Sequence, residues 1–199
     1  MEDRSVKNTI SKLVSSIEPY DKLEQEHIDD IISWISSGVN IFRIQKDAVP
    51  SKHLVSYSVV IDLEKEKILL LDHKKSLLML PSGGHVDLNE MPYETAKREL
   101  YEELEMSLQP ICKNKDVPFF ATVTETVGIS EKHTDVSLWY IFSGDSEKSL
   151  NSESSEFKKE FEDYHWLSFD EILGMPIDKF NPDMHIFVEK LKKYLNKKQ

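Results

Sequence analysis

The sequence predicts an α/β or α+β fold, a mixed β-sheet with helices on its faces. Three observations carry this reading. Helical periodicity opens and closes the chain, short apolar or alternating runs between 55 and 142 have strand character, and a strong helix signal at 92–105 interrupts those strands.

The elements follow in order. Val6, Ile10, Leu13, Val14 and Ile17 recur at helical spacing, and Pro19 stops that helix. Asp21 with Glu24 resembles a capping box and opens a second helix, whose stripe runs through Leu23, Ile28, Ile31, Ile32 and Ile35. Ser36-Ser37-Gly38 ends it, with Gly38 as a left-handed cap. Val55, Tyr57, Val59 and Ile61 alternate with period two, as in a strand. A charged turn at 62–67 leads to the buried-strand run 68–71, and a further apolar run at 77–80 ends in Pro81-Ser82-Gly83-Gly84, read as a sharp loop. Pro92 suits a first helical turn. Segments 119–127 and 136–142 are rich in β-branched and aromatic residues and flank a loop at 128–133. A Ser- and acid-rich loop (143–155), a short strand (164–167), a brief helix (169–173) and a last helix opened by Asn181-Pro182 complete the chain.

At 199 residues the chain has the length of one domain with a helical extension. Its net charge of −11 argues against a sequence-independent nucleic-acid binder, which needs basic phosphate contacts. It leaves room for a phosphate-bearing small molecule that arrives with a divalent cation. No window approaches the roughly 18 apolar residues of a membrane span. No apolar run suggests a signal peptide, and Cys112 is the single cysteine, so the expected setting is cytoplasmic.

The chemistry concentrates in Gly84-His-Val-Asp-Leu-Asn-Glu-Met-Pro-Tyr-Glu-Thr-Ala-Lys-Arg-Glu-Leu-Tyr-Glu-Glu-Leu-Glu-Met106. At about 100° per residue, Glu99, Glu102 and Glu103 share an arc of about 100°, beside an apolar stripe of Tyr93, Ala96, Leu100 and Leu104. Like charges at such spacing repel, by a few tenths of a kcal/mol per pair. A hard divalent cation with oxygen ligands would remove that repulsion. By itself the cluster reads first as a solvated acidic face partnered by Lys97 and Arg98.

The wider spacing is more specific. Gly84, five residues, Glu90, seven residues, Arg98-Glu99-Leu100, one residue, Glu102-Glu103, one residue, Glu105-Met106 closely resembles the signature of the Nudix hydrolases, with Glu105 where the family has Gly. The resemblance spans about residues 50 to 175. It implies an α/β/α sandwich with a mixed sheet over 48–199, preceded by a helical extension at 1–47. The implied chemistry is Mg²⁺- or Mn²⁺-dependent hydrolysis of a pyrophosphate bond in a nucleoside diphosphate linked to another moiety. By position, Glu99, Glu102 and Glu103 match metal-binding and catalytic carboxylates, and Gly83 matches a residue whose carbonyl is often a metal ligand. Arg98 matches a structural arginine that pairs with a box carboxylate, often the one at Glu90, while Gly84 begins the box. A surface pair of Arg98 with Glu102 is the plainer alternative.

The general base is open. Glu160 lies six residues before Trp166, a family-like offset, and is equally read as an exposed residue of an acidic stretch; Glu125 and Glu131 are rivals. Glu105 implies either a helix that continues one turn or a loop that bends differently. A Nudix-fold binding or regulatory module that no longer hydrolyses is the alternative function, and a prenyl-diphosphate isomerase relying on Cys112 is a more distant one. His85 is read as structural or superficial, and His53, His73 and His133 form no zinc spacing with cysteines. Phe119, Phe120, Trp139 and Tyr140 read as core before base-stacking residues. Trp34 and Phe42 are expected to pack the extension onto the domain or a partner, homodimerisation being one outcome. The Lys-rich end at 190–199 reads as cations favouring a helix C-terminus.

Overall fold

The structure is a computed structural model that describes residues 2–45, 49–127, 129 and 132–197. Among these residues an eight-stranded mixed sheet forms the centre. The strands are β1 (Lys52–Asp62), β2 (Lys67–His73), β3 (Met79–Leu80), β4 (Ser82–His85), β5 (Gln109–Pro110), β6 (Phe120–Glu125), β7 (Thr134–Ser143) and β8 (Phe161–Ser168). Around it lie α1 (Glu2–Ser15), α2 (Lys22–Ser36), α3 (Pro92–Leu104), α4 (Ser155–Glu160), α5 (Phe169–Gly174) and α6 (Met184–Asn196).

β1 is the axis of the sheet. It runs parallel to β7 over its whole length, antiparallel to β2 at one end and antiparallel to β4 at the other. Every residue from His53 to Asp62 is therefore buried, the polar His53, Ser56, Ser58 and Asp62 included. One face of the sheet (Leu54, Val60, Leu69, Leu71, Leu138, Phe142) packs against α1, α2 and α3. The other (Val59, Ile61, Ile68, Leu70, Trp139, Ile141) packs against α5 and α6. This is the expected three-layer sandwich, with Phe119, Phe120, Trp139 and Tyr140 in its core.

Ser56 and Ser58 interrupt the apolar pattern of β1 for a reason. Their buried hydroxyls donate to the carbonyls of Pro92 (2.7 Å) and Ala96 (2.6 Å), so α3 lies close on β1 over two small residues. Pro92 opens α3 as expected.

Several local expectations are corrected. Pro81-Ser82-Gly83-Gly84 is not a loop, because Ser82–His85 is β4, paired with β1 through Gly83↔Tyr57 and Gly84↔Ser56. Glycines there allow a closeness that no side chain would. Only Met79–Leu80 of the run 77–80 is strand; Leu77 has a left-handed φ of 62° and is 70% exposed. Ser155–Glu160 adds a helix within the acid-rich segment, capped by Ser154, which accepts from Phe157 N.

The N-terminal helices share the core of one sheet face through Ile10, Val14, Ile28, Ile31 and Ile35, and α2 packs on β6. Among the described residues β6 has only β7 as a strand partner, so its outer edge needs cover. α2 and α6 meet over it through Glu24 and Lys190 (2.6 Å), both side chains nearly inaccessible to water. Lys190 is thus a buried ion-pair partner, not a cation serving its own helix end. Gly38 does cap α2 with φ 81°, and Asp21 accepts from Glu24 N, but the Glu24 carboxylate reaches Tyr20 N instead of the cap residue. Among the described residues no helix is long and apolar enough to cross a membrane.

Candidate active site

A cleft of about 950 Å³ opens where β4, the second half of α3, the end of α4 and the β6–β7 connection converge. Tyr57, Leu80 and Phe180 contribute apolar wall, while Arg43, Glu99, Glu103 and Glu160 supply charge.

Glu103 is the most deeply buried glutamate of the cleft. Its Oε2 accepts from Ser82 Oγ (2.7 Å) and from Gly83 N (3.2 Å), which ties the last turn of α3 to β4. Burial pushes its pKa up to about 8, against the pull of the Ser82 bond and with the repulsion of Glu99 and Glu160. Glu99, one turn earlier, is also raised, first by burial and further by Glu102 and Glu160, although Arg98 opposes this. Its carboxylate lies over Gly84, where a methyl group would meet Oε1 at 2.3 Å. A methyl on Gly83 would meet the Ser56 carbonyl oxygen at 2.4 Å.

Arg98 organises the outer side of this group. Its Nε and Nη2 donate to the two oxygens of Glu90 (3.0 Å each), in the forked geometry that guanidinium and carboxylate share. Nη1 donates to Glu99 Oε1 (2.7 Å) and to Glu102 Oε2 (3.3 Å). Glu90 also accepts from Thr95 Oγ1 (2.7 Å) and Asp87 N (3.2 Å). Burial works against its ionisation, yet these donors prevail and hold its pKa below the ordinary value. Both readings of Arg98 coexist, the fork with Glu90 being the shorter.

The predicted site residues separate accordingly. Glu99 and Glu103 face the cleft together, and Glu160 joins them from the end of α4 with its side chain 38% exposed. His73 Nε2 stands 4.0 Å from Glu160 Oε2, and burial lowers the pKa of that imidazole. Glu102 turns outward, 56% exposed and held by Arg98. Gly83 and Gly84 form the cleft edge opposite α3. Glu125 lines the cleft from the end of β6, and Glu131 lies outside the described residues. Cys112 lies away from this cleft, near Tyr194.

Glu105 follows neither expectation. The helix ends at Leu104, and Glu105 itself takes the left-handed backbone, φ 55° and ψ 29°, that a glycine would adopt freely. Its side chain accepts from Asn151 Nδ2 (3.4 Å).

Two features escape sequence reasoning. Arg43, from the segment between α2 and β1, is partly buried in the cleft wall and interacts through its charge with Asp135, Asp87, Glu99 and Glu160; burial lowers its pKa. His53, His85, His133 and Asp135 converge beside the glutamates, although no spacing rule links these positions. Only strand register could reveal them: His53 faces Asp135 across β1 and β7, while His85 faces Val55 across β4 and β1.

Acidic side chains gathered on a loop–helix–loop against the central sheet of an α/β/α sandwich define a hydrolase site of a recognisable class. Residues 52–191 match the NUDIX domain, and the chain belongs to the Nudix hydrolase family. It is 26% identical over 144 residues to a probable DHNTP pyrophosphohydrolase of Lactococcus lactis subsp. cremoris (strain MG1363), covering 70% of this chain and 81% of that one. Its fold resembles a NUDIX-family hydrolase from Clostridium perfringens (22% identity, TM-score 0.51, 71% of this chain and 97% of that one). It also resembles a MutT protein from Methanosarcina mazei Go1 (18% identity, TM-score 0.51, 71% and 93%).

Proposed function

We propose that this enzyme hydrolyses a pyrophosphate bond in a nucleoside diphosphate linked to another moiety, with Mg²⁺ or Mn²⁺ as cofactor. The observation that carries the reading is the meeting of Glu99, Glu103 and Glu160 at one cleft, opposite the Gly83–Gly84 edge. The family relationship and the Lactococcus relative's name as a pyrophosphohydrolase support the bond type. The single cysteine keeps a cytoplasmic setting as part of the proposal.

The residues fit a hard divalent cation. They offer oxygen donors only, and desolvation and mutual repulsion raise the pKa of Glu99 and Glu103, a penalty that a cation would relieve. Glu99 and Glu103 would hold it, with Glu102 at the outer edge and the Gly83 carbonyl as a further donor. When bound, such an ion neutralises phosphate charge and makes a water more acidic.

The chain's own groups supply the remainder. Arg98, anchored by Glu90, fixes the orientation of Glu99. Arg43 places a guanidinium where an anionic phosphate group enters the cleft. Glu160, or Glu99, accepts the proton as water attacks phosphorus in line. Tyr57, Leu80 and Phe180 offer apolar surface to the organic part of the substrate. Glu105 supports the catalytic reading over a non-hydrolysing module, because it closes the helix end with a glycine-like backbone.

The test is a pyrophosphatase assay over a nucleotide panel with Mg²⁺ or Mn²⁺. Glu99→Gln and Glu103→Gln should each lower kcat by about 10²–10⁴-fold, and Glu102→Gln by much less. Comparing Glu160→Gln with Glu125→Gln assigns the base, the larger loss being expected at Glu160. Full activity in both Glu99→Gln and Glu103→Gln would overturn the site.

A further inference from the structure

We propose that His53, His85, His133 and Asp135 form a second metal site, distinct from the glutamate group, that takes a borderline divalent ion of the Zn²⁺ class through three imidazole nitrogens and one carboxylate oxygen. One ligand atom from each residue lies within 4.8 Å of the other three.

At His53 the hydrogen bonds leave a lone pair facing a lone pair. His53 is fully buried, and its Nδ1 lies 2.7 Å from the Pro50 carbonyl, which can only accept. That fixes the proton on Nδ1 and makes Nε2 an acceptor, which points at Asp135 Oδ1 from 3.5 Å. The Thr126 hydroxyl donates to the His133 carbonyl (3.2 Å) and lies 3.2 Å from His133 Nδ1. His133 Nε2 lies 3.3 Å from the same Asp135 oxygen, with the Thr126 hydroxyl at its other ring nitrogen. His53 Nε2, His85 Nε2 and Asp135 Oδ1 are all buried without a hydrogen-bond partner among the described residues. Buried polar atoms without partners are rare, and several converging acceptors are what a cation satisfies.

The geometry fits. Zn–N bonds of about 2.0–2.1 Å in a tetrahedral site put ligand atoms about 3.3 Å apart. The contacts to Asp135 are already near that value. The ring centroids stand 4.8 Å (His53–His85), 4.9 Å (His53–His133) and 6.5 Å (His85–His133) apart, an arrangement three rings adopt around a shared ion. His53 donating from its other nitrogen to a backbone carbonyl is the usual outer support of a metal-bound histidine. His85, His133 and Asp135 line the cleft and give the ion a route from solvent. The donor set also separates the two sites: imidazoles select Zn²⁺, Co²⁺ or Ni²⁺, whereas the all-oxygen glutamate group suits Mg²⁺ or Mn²⁺.

The experiment uses tag-free protein stripped with chelator, then titrated with Co²⁺ and with Zn²⁺ in excess Mg²⁺. Wild type should take up one Co²⁺ per chain with the strong visible bands of a nitrogen-rich, tetrahedral-type site, and stoichiometric Zn²⁺ should bleach them and raise Tm. The Glu99→Gln/Glu103→Gln double variant should behave like wild type. His85→Ala and Asp135→Asn, checked for folding by circular dichroism, should each weaken uptake by 10²-fold or more. Should one variant not fold, the other carries the comparison, and the wild-type spectrum needs neither. Absence of the bands in wild type, undiminished uptake in a folded His85→Ala or Asp135→Asn, or loss of uptake in the glutamate double variant would each overturn the proposal. The last result would place the ion at the glutamates and leave the hydrolase reading intact.

Discussion

The carboxylate of Glu99 rests directly on Gly84, with no room for even a methyl group between helix α3 and strand β4. Neighbouring Gly83 is equally confined, but by the backbone of Ser56. The two glycines therefore fail differently when substituted. In Gly84→Ala the obstructing atoms end a flexible side chain, so the protein should fold with a Tm near wild type while Glu99 is displaced and kcat falls at least 10²-fold. In Gly83→Ala the obstruction is main chain, and a loss of several kcal/mol is expected. Thermal unfolding and kinetics on both variants check this; equal Tm losses would refute the distinction.

Glu103 should make the metal-free protein less stable as pH rises. Its folded pKa of about 8 exceeds the ordinary carboxylate value, so the native state binds the extra proton between about pH 4.5 and 8. Stability held below that window is lost as pH climbs through it. Buried His53, His73 and His85 titrate with the opposite sign, so the clean quantity is the difference between wild type and Glu103→Gln. The variant should gain about 1–3 kcal/mol over wild type at pH 8 and almost nothing at pH 4.5. Saturating Mg²⁺ should reduce the gain, because only wild type retains this ligand. Urea titrations at the two pH values measure it.

Glu105→Gly should stabilise the fold. A left-handed backbone costs an ordinary residue roughly 1–2 kcal/mol, and the added freedom of glycine in the unfolded chain returns part of that. A net gain of about 0.5–1 kcal/mol corresponds to a Tm rise of about 1–3 °C at this chain length. Activity should stay within about twofold, since Glu105 bonds Asn151 and not the cleft glutamates. A lower Tm would show that the Asn151 contact outweighs the backbone.

The Glu24–Lys190 pair should be costly to break from one side. Glu24 also accepts from Tyr20 N and from the Ala121 backbone, and the Lys190 ammonium lies over the rings of Phe119 and Phe120. Lys190→Met leaves a buried carboxylate without its cation and should destabilise by about 3–5 kcal/mol. Glu24→Gln combined with Lys190→Met should recover a large part of this. Denaturant midpoints for the single and double variants give the coupling; simple additivity would refute it.

Much of the molecule was legible in its residues. The helical stripes of α1, α2, α3 and α6, the alternation in β1 and the aromatic strands β6 and β7 follow from periodicity, because one face of each element must meet a core. The box spacing identified the family through residues 84–106, with Arg98 reaching Glu90 as that resemblance implied. Short or edge elements are not legible where local sequence and tertiary pairing disagree: Gly83 and Gly84 look like a turn, yet β1 accepts them as a strand because they carry no side chains.

The sequence by itself determined which elements form and that one turn of α3 carries three glutamates, since both depend on neighbours a few residues apart. Tertiary structure alone decided that Glu103 is buried under Ser82 while Glu102 faces water, that Arg43 enters the cleft from the N-terminal side, and that three histidines meet Asp135. Each of these depends on how separate strands and helices stack, and desolvation and lone-pair conflict arise only once distant parts of the chain exclude water between them.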